Sequence, residues 1–211
     1  MADPIGSINN PVPYKDIYTA KDINGVNLWS GGANAVAKVQ ALLGTRLSPA
    51  QERIVDIEGY FKGYYKDSEG NTTYGVGQTG KYMTPKGFFT AFEEEKARTA
   101  SKIKNFKKLP EYLKTEFIQS GYRGDIFGSP KAIELFNKGD YKKAAITFLD
   151  HNNYRAAKIL KNSIYDRFNA TYDAIIRYGK EQSAASINEK TAKTKISWDQ
   201  VKKINQGYRN G

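Results

Sequence analysis

The chain has 211 residues, 39% hydrophobic and 26% charged, a composition that can bury a core and suits one domain with extensions or two small ones. Its 33 Lys and Arg outnumber 22 Asp and Glu, and the net charge of +11 favours polyanions without choosing among them. With no cysteine and one histidine, His151, it excludes disulfides, thiolate metal sites, cysteine nucleophiles and paired-histidine zinc sites. Carboxylates, hydroxyls, Lys and Arg are left for chemistry, and neither a metal nor a cofactor is expected.

Residues 1–45 read as an N-terminal arm, rich in Pro, Gly and Asn, ending in a short helix over 33–43. Ala33, Val36, Ala37, Gln40 and Leu43 give that helix its apolar spacing, and Gly44 its stop. MADPIGSINNPVPY has neither a basic n-region nor an apolar h-region, so no secretory signal is expected. No run approaches the roughly 18 apolar residues of a membrane span.

In LSPAQERIVDIEG, Ser48 is a good N-cap, Pro49 suits the first helical position and Gln51 completes a capping box. Ile54, Val55 and Ile57 supply a buried face and Gly59 ends the helix, which leaves Glu58 in its last turn. The helix dipole disfavours a carboxylate anion there. Residues 60–80 alternate aromatics and Thr with turn formers, predicting two or three short antiparallel strands with a tight turn at 68–71.

From Thr84 the pattern is helical, with Phe88, Phe92 and Ile103 inward. Helices follow after Pro110, after Ser129-Pro130, after Asp140 and over about 155–179. The fold class is therefore α+β: a small antiparallel β-hairpin sheet and a mainly helical C-terminal part, meeting at a cleft between two lobes. Residues 46–180 form the expected catalytic domain. Residues 181–211 form a basic, polar C-terminal tail with one helical patch at Trp198, Val201 and Ile204.

Glu58 and Asp67 sit on different elements facing that cleft, the arrangement that glycoside hydrolysis uses. One carboxyl stays protonated to donate to the leaving oxygen, and the other stays ionised. Ile57, Tyr60 and the helix end favour the protonated form at Glu58. Lys66, Ser68 and turn amides favour the anion at Asp67. Two acids at this spacing occur in many chains, with solvation on the surface as the ordinary outcome.

The longer string is more specific. Glu58-Gly59, then Tyr65-Lys66-Asp67-Ser68-Glu69-Gly70, then Thr73-Tyr74-Gly75-Val76-Gly77, resembles the phage-type (T4-like) lysozyme family. There E-G at a helix end precedes Y-x-D-x-x-G-x-x-T-x-G-x-G on a small sheet. The match is ungapped over 58–77 and looser through about 47–178, with FIQSGYRGD at 117–125 similar to the family's cleft-lining helix and turn.

The resemblance implies a lysozyme-like two-lobe fold and a muramidase cleaving between N-acetylmuramic acid and N-acetylglucosamine. It implies Glu58 as general acid, Asp67 and Thr73 holding the attacking water, and inversion at the sugar. It places Tyr74, Gln78, Gln119 and Arg123 along the sugar groove or its walls, and Arg167 beside Glu58 as its orienting partner. Gln78 departs from the family, which commonly has His there.

Plainer readings stand beside these. Gly75 and Gly77 are structural turn glycines, Thr73 is a β-former, Arg123 and Asp125 pair with each other, and His151 caps a helix or lies on the surface. Glu93-Glu94-Glu95 is a solvated helix face. The expected partners are peptidoglycan glycan strands and, through 1–45 and 181–211, other virion proteins. Nucleic acid is disfavoured because the charge is spread rather than focused, with KNFKK at 104–108 the one tight cluster. A phage particle used during entry is the expected location. The alternatives are a host-cytoplasmic endolysin, a virion structural or adaptor protein, and lytic transglycosylase chemistry.

Overall fold

The computed structural model describes residues 17–18, 28–29, 32–66, 70–160 and 163–207. Two helices lead into the sheet. Helix α1 (Gly32–Leu43) packs on helix α2 (Pro49–Glu58), and the side chain of Gln40 accepts from the Leu47 amide to hold their connection. Along α1 the buried residues are Ala35 and Val39, whereas Ala37 is exposed and Val36 and Gln40 are half-buried. The inward face is thus rotated by about one residue from the predicted stripe, because Gln40 turns toward the connection.

Helix α2 starts as its sequence dictates. The Ser48 hydroxyl accepts from the Gln51 amide, and Gln51 Oε1 accepts from the Ser48 amide at 2.8 Å. Two otherwise orphan donors are thereby satisfied. The helix ends at Gly59, whose φ of 70° is a conformation that L side chains rarely adopt and whose amide still donates to Val55. Ile54 and Val55 are fully buried and Ile57 only half-buried.

Strand β3 (Tyr60–Lys66) follows at once and is the centre of a four-stranded sheet. Strand β4 (Thr72–Gly75) pairs with it antiparallel, with Tyr65 opposite Thr73 and a register shift between Phe61 and Tyr64. Strand β1 (Ile17–Tyr18) runs parallel to β3 at Tyr64 and Tyr65, and β2 (Leu28–Trp29) antiparallel at Tyr60 and Phe61. Tyr64 and Phe61 also pair with β4, so β1 and β2 share the opposite edge of β3. The stretch expected as an arm thus supplies part of the sheet.

The remainder is helical: α3 (Gly87–Lys102), α4 (Glu111–Tyr122), α5 (Pro130–Asn137), α6 (Tyr141–Leu149), α7 (Asn152–Leu160) and α8 (Ser163–Gly207). Short 3-10 turns at Gly80–Tyr82 and Phe106–Lys108 lead into α3 and α4. Helix α4 packs against α2, α3 and α8, with Leu113 and Phe117 fully buried. Phe88, Phe92 and Ile103 are buried as predicted. An ion pair from Arg53 Nε to Glu116 Oε1 at 3.0 Å ties α2 to α4. Neither Ser129 nor Asp140 makes the side-chain cap bond its position suggested.

Two boundaries differ from the sequence reading. The single helix expected over 155–179 is α7 and the start of α8. Helix α8 then continues through residue 180 without a break, 45 residues and about 68 Å at ~1.5 Å per residue. Beyond the body, residues 181–192 are exposed, Ile187 by 64%. No helix among the described residues is long and apolar enough to cross a membrane.

Phe117 meets Phe136 edge-on at 4.9 Å in the middle of this packing. Phe117→Ala is expected to lower the unfolding free energy by about 3–5 kcal/mol. Urea titration followed by circular dichroism measures it.

Candidate active site

The end of α2 puts Glu58 between the sheet and the helices, with its side chain 14% exposed. Both of its oxygens meet guanidinium groups. Oε1 accepts from Arg167 Nη1 at 2.8 Å, and Oε2 lies 3.4 Å from Arg123 Nη1. Arg167 stands in the first turns of α8 and is buried, whereas Arg123, just past the end of α4, is 39% exposed. One cation is therefore fixed by packing and the other is accessible to solvent.

Arg167 has a second acid partner. Its Nε donates to Asp125 Oδ2 at 3.2 Å, and the Asp125 side chain is only 4% exposed. Sequence proximity suggested an Arg123–Asp125 pair. The structure instead gives Asp125 to Arg167 and Arg123 to Glu58. Burial pushes the Asp125 carboxyl above its ordinary range, against the pull of Arg167, Arg123 and His151. A buried pair of this kind is unforgiving, since removing one partner costs about 3–5 kcal/mol. Asp125 was missed as a site residue because only the fold brings it to Arg167.

The other predicted residues occupy different environments. Thr73 is buried on β4 and donates from Oγ1 to the Tyr65 carbonyl at 3.2 Å. Asp67 lies outside the described residues. Tyr74 is buried, with its ring edge-on to Tyr60 and Tyr64, so it packs the sheet rather than facing a groove. Gln119 is fully buried, and neither polar atom of its amide has a hydrogen-bond partner among the described residues.

Gln78 is likewise turned inward. Its Oε1 accepts from the Val76 amide at 3.0 Å, and its Nε2 donates to the carbonyls of Tyr82 and Thr84. The amide thus braces its own turn and shapes the wall of the adjoining cavity. The turn needs glycine at 75, where φ is 60° and a Cβ would stand 2.1 Å from Gln78 Oε1. His151 caps α7, its Nδ1 accepting from the Asn153 amide, and lies 5.3 Å from Phe168.

A cavity of about 270 Å³ lined by Gly77, Gln78, Tyr82, Glu95, Tyr122 and Arg123 adjoins the Glu58 network. Among the described residues there is no group of three or more His, Asp or Glu that could hold a metal ion. Chemically, the arrangement offers one carboxyl group of fixed orientation that can give or take a proton. No family model, no curated protein and no solved structure matches the chain.

Gln78→Leu strands the buried Val76 amide, whereas the Tyr82 and Thr84 carbonyls keep the backbone amides of Thr84 and Gly87 as partners. It is expected to destabilise the fold by about 1–3 kcal/mol, read by thermal unfolding.

Proposed function

We propose that this chain is a peptidoglycan hydrolase, a muramidase that cleaves the β-1,4 bond between N-acetylmuramic acid and N-acetylglucosamine with inversion. The observation that carries the reading is the contact from Arg167 Nη1 to Glu58 Oε1, which joins residues 109 positions apart. The resemblance, in its looser part at 164–168, calls for an Arg at that place, and the contact fixes the orientation of a helix-end carboxyl, which proton transfer to a positioned substrate needs.

In this reading the sheet and α2 form one wall of the groove and the helices the other, in a lysozyme-like two-lobe arrangement. The glycosidic oxygen approaches Oε2 of Glu58. Arg123, the exposed partner, moves aside, and Arg167 keeps Oε1 fixed. Glu58 in its protonated form gives its proton to the leaving oxygen as the glycosidic bond breaks. Asp67 takes a proton from a water that bonds to the opposite face of the sugar carbon, with Thr73 beside it. Asp67 and Thr73 favour hydrolysis over transglycosylation, in which the sugar's own hydroxyl would attack.

The helix α8 extension, basic as a whole and exposed over 181–192, suits a protein carried in a phage particle and held there by other virion proteins for local wall degradation. The same chemistry would serve an endolysin acting from the host cytoplasm.

Glu58→Gln keeps the shape and removes the proton donor. Lysis of purified sacculi is expected to fall by about 10²–10⁴-fold, measured by turbidity clearing, with the thermal melt retained. Mass spectrometry of the released muropeptides is expected to show reducing N-acetylmuramic ends. Undiminished clearing by the variant, or anhydro ends, would remove the assignment.

A further inference from the structure

Arg167 is shared between two acids that differ in what they can reach. Glu58 keeps part of its side chain exposed, and Asp125 is shut inside with, among the described residues, a single side-chain hydrogen bond, to Arg167 Nε. The two carboxyl groups compete for one guanidinium. When Asp125 is ionised it neutralises part of the Arg167 charge and adds a negative charge near Glu58. Both effects make it easier for Glu58 to hold a proton. Without Asp125, two guanidiniums would act on Glu58 with no buried anion to offset them, and an acid held as an anion cannot donate.

We propose that Asp125 is a positioning residue: it fixes the Arg167 guanidinium and offsets its charge, so that the neighbouring Glu58 carboxyl is oriented without being locked as an anion. Among the described residues, the charged and titratable groups around the pair are Arg167 from α8, Arg123 and Tyr122 at the end of α4, His151 before α7 and, next to Tyr122, Tyr65 of β3 and Glu95 of α3. Arg167 is the one that bonds both acids. The role of Asp125 in the reaction rests on the muramidase reading, but its effect on the Glu58 proton does not.

The test uses the full chain. Asp125→Asn removes the charge while leaving an oxygen that can accept from Arg167, and Asp125→Ser removes the charge together with that contact. Carbon-detected NMR follows the Glu58 carboxyl through a pH titration in each variant and in the unsubstituted chain. The midpoint for Glu58 is expected to move to lower pH by about 0.5–1 unit in both variants. The alkaline limb of the wall-lysis profile should move with it. A loss of activity equal at all pH values, with the midpoint unmoved, would show a merely structural residue and overturn the proposal.

If neither variant folds, the unsubstituted chain still decides. Coupling through Arg167 requires the Glu58 signal to carry a second inflection where Asp125 titrates, and a single inflection overturns the proposal. An unsubstituted chain that lyses no wall yet shows the coupled titration would end the muramidase reading and leave this one standing.

Discussion

The buried guanidinium of Arg167 is the point on which the rest of the molecule closes. Its Nη1 reaches the end of α2 and its Nε reaches the turn after α4, from a position on α8. A charge so enclosed is tolerated only when acids are placed to meet it. The packing of α4 against both α2 and α8 therefore does more than bury Leu113 and Phe117. It sets the separation of three segments to within the reach of one side chain, and so makes an acid at a helix end into an oriented group.

The sheet side of the site is rigid for a different reason. The turn after β4 is braced from within, with Gln78 bonded to Val76, Tyr82 and Thr84, and its main chain bridged to Tyr74. Tyr74 anchors the same turn into the aromatic packing of Tyr60 and Tyr64. Thr73, between them, is held by the Tyr65 carbonyl across the strand pair. Polar side chains on this turn act mainly on their own backbone, and among the described residues Glu58, Arg123 and Glu95 keep both charge and access beside it.

What could be read from the sequence was local. The capping box at Ser48 and Gln51, the stop at Gly59, the antiparallel pairing of β3 with β4 and the inward Phe88 and Phe92 follow from neighbours a few positions apart. What could not be read depends on distant chain. The face of α1 was misjudged by a residue because Gln40 is recruited by the Leu47 amide. The two short strands before α1 exist through pairing with β3, and two-residue strands leave no period to detect. Asp125 looked like a partner for Arg123 because the two are adjacent in sequence, yet α8 brings Arg167 closer in space. Tyr74 and Gln78 were expected along a groove or its walls; Tyr74 packs in the sheet, and Gln78 lines the cavity while its amide braces the turn.

Helix α8 joins two functions on one element. Its first turns hold Arg167 against Glu58, and its far end lies about 60 Å further along the same axis. A helix is stiff over such a length, so a force on the distal turns is transmitted to the guanidinium as tilt or twist instead of being absorbed by a hinge. Whatever grips that end becomes a lever on the Arg167–Glu58 contact, so the far turns and the buried ion pair are mechanically one part.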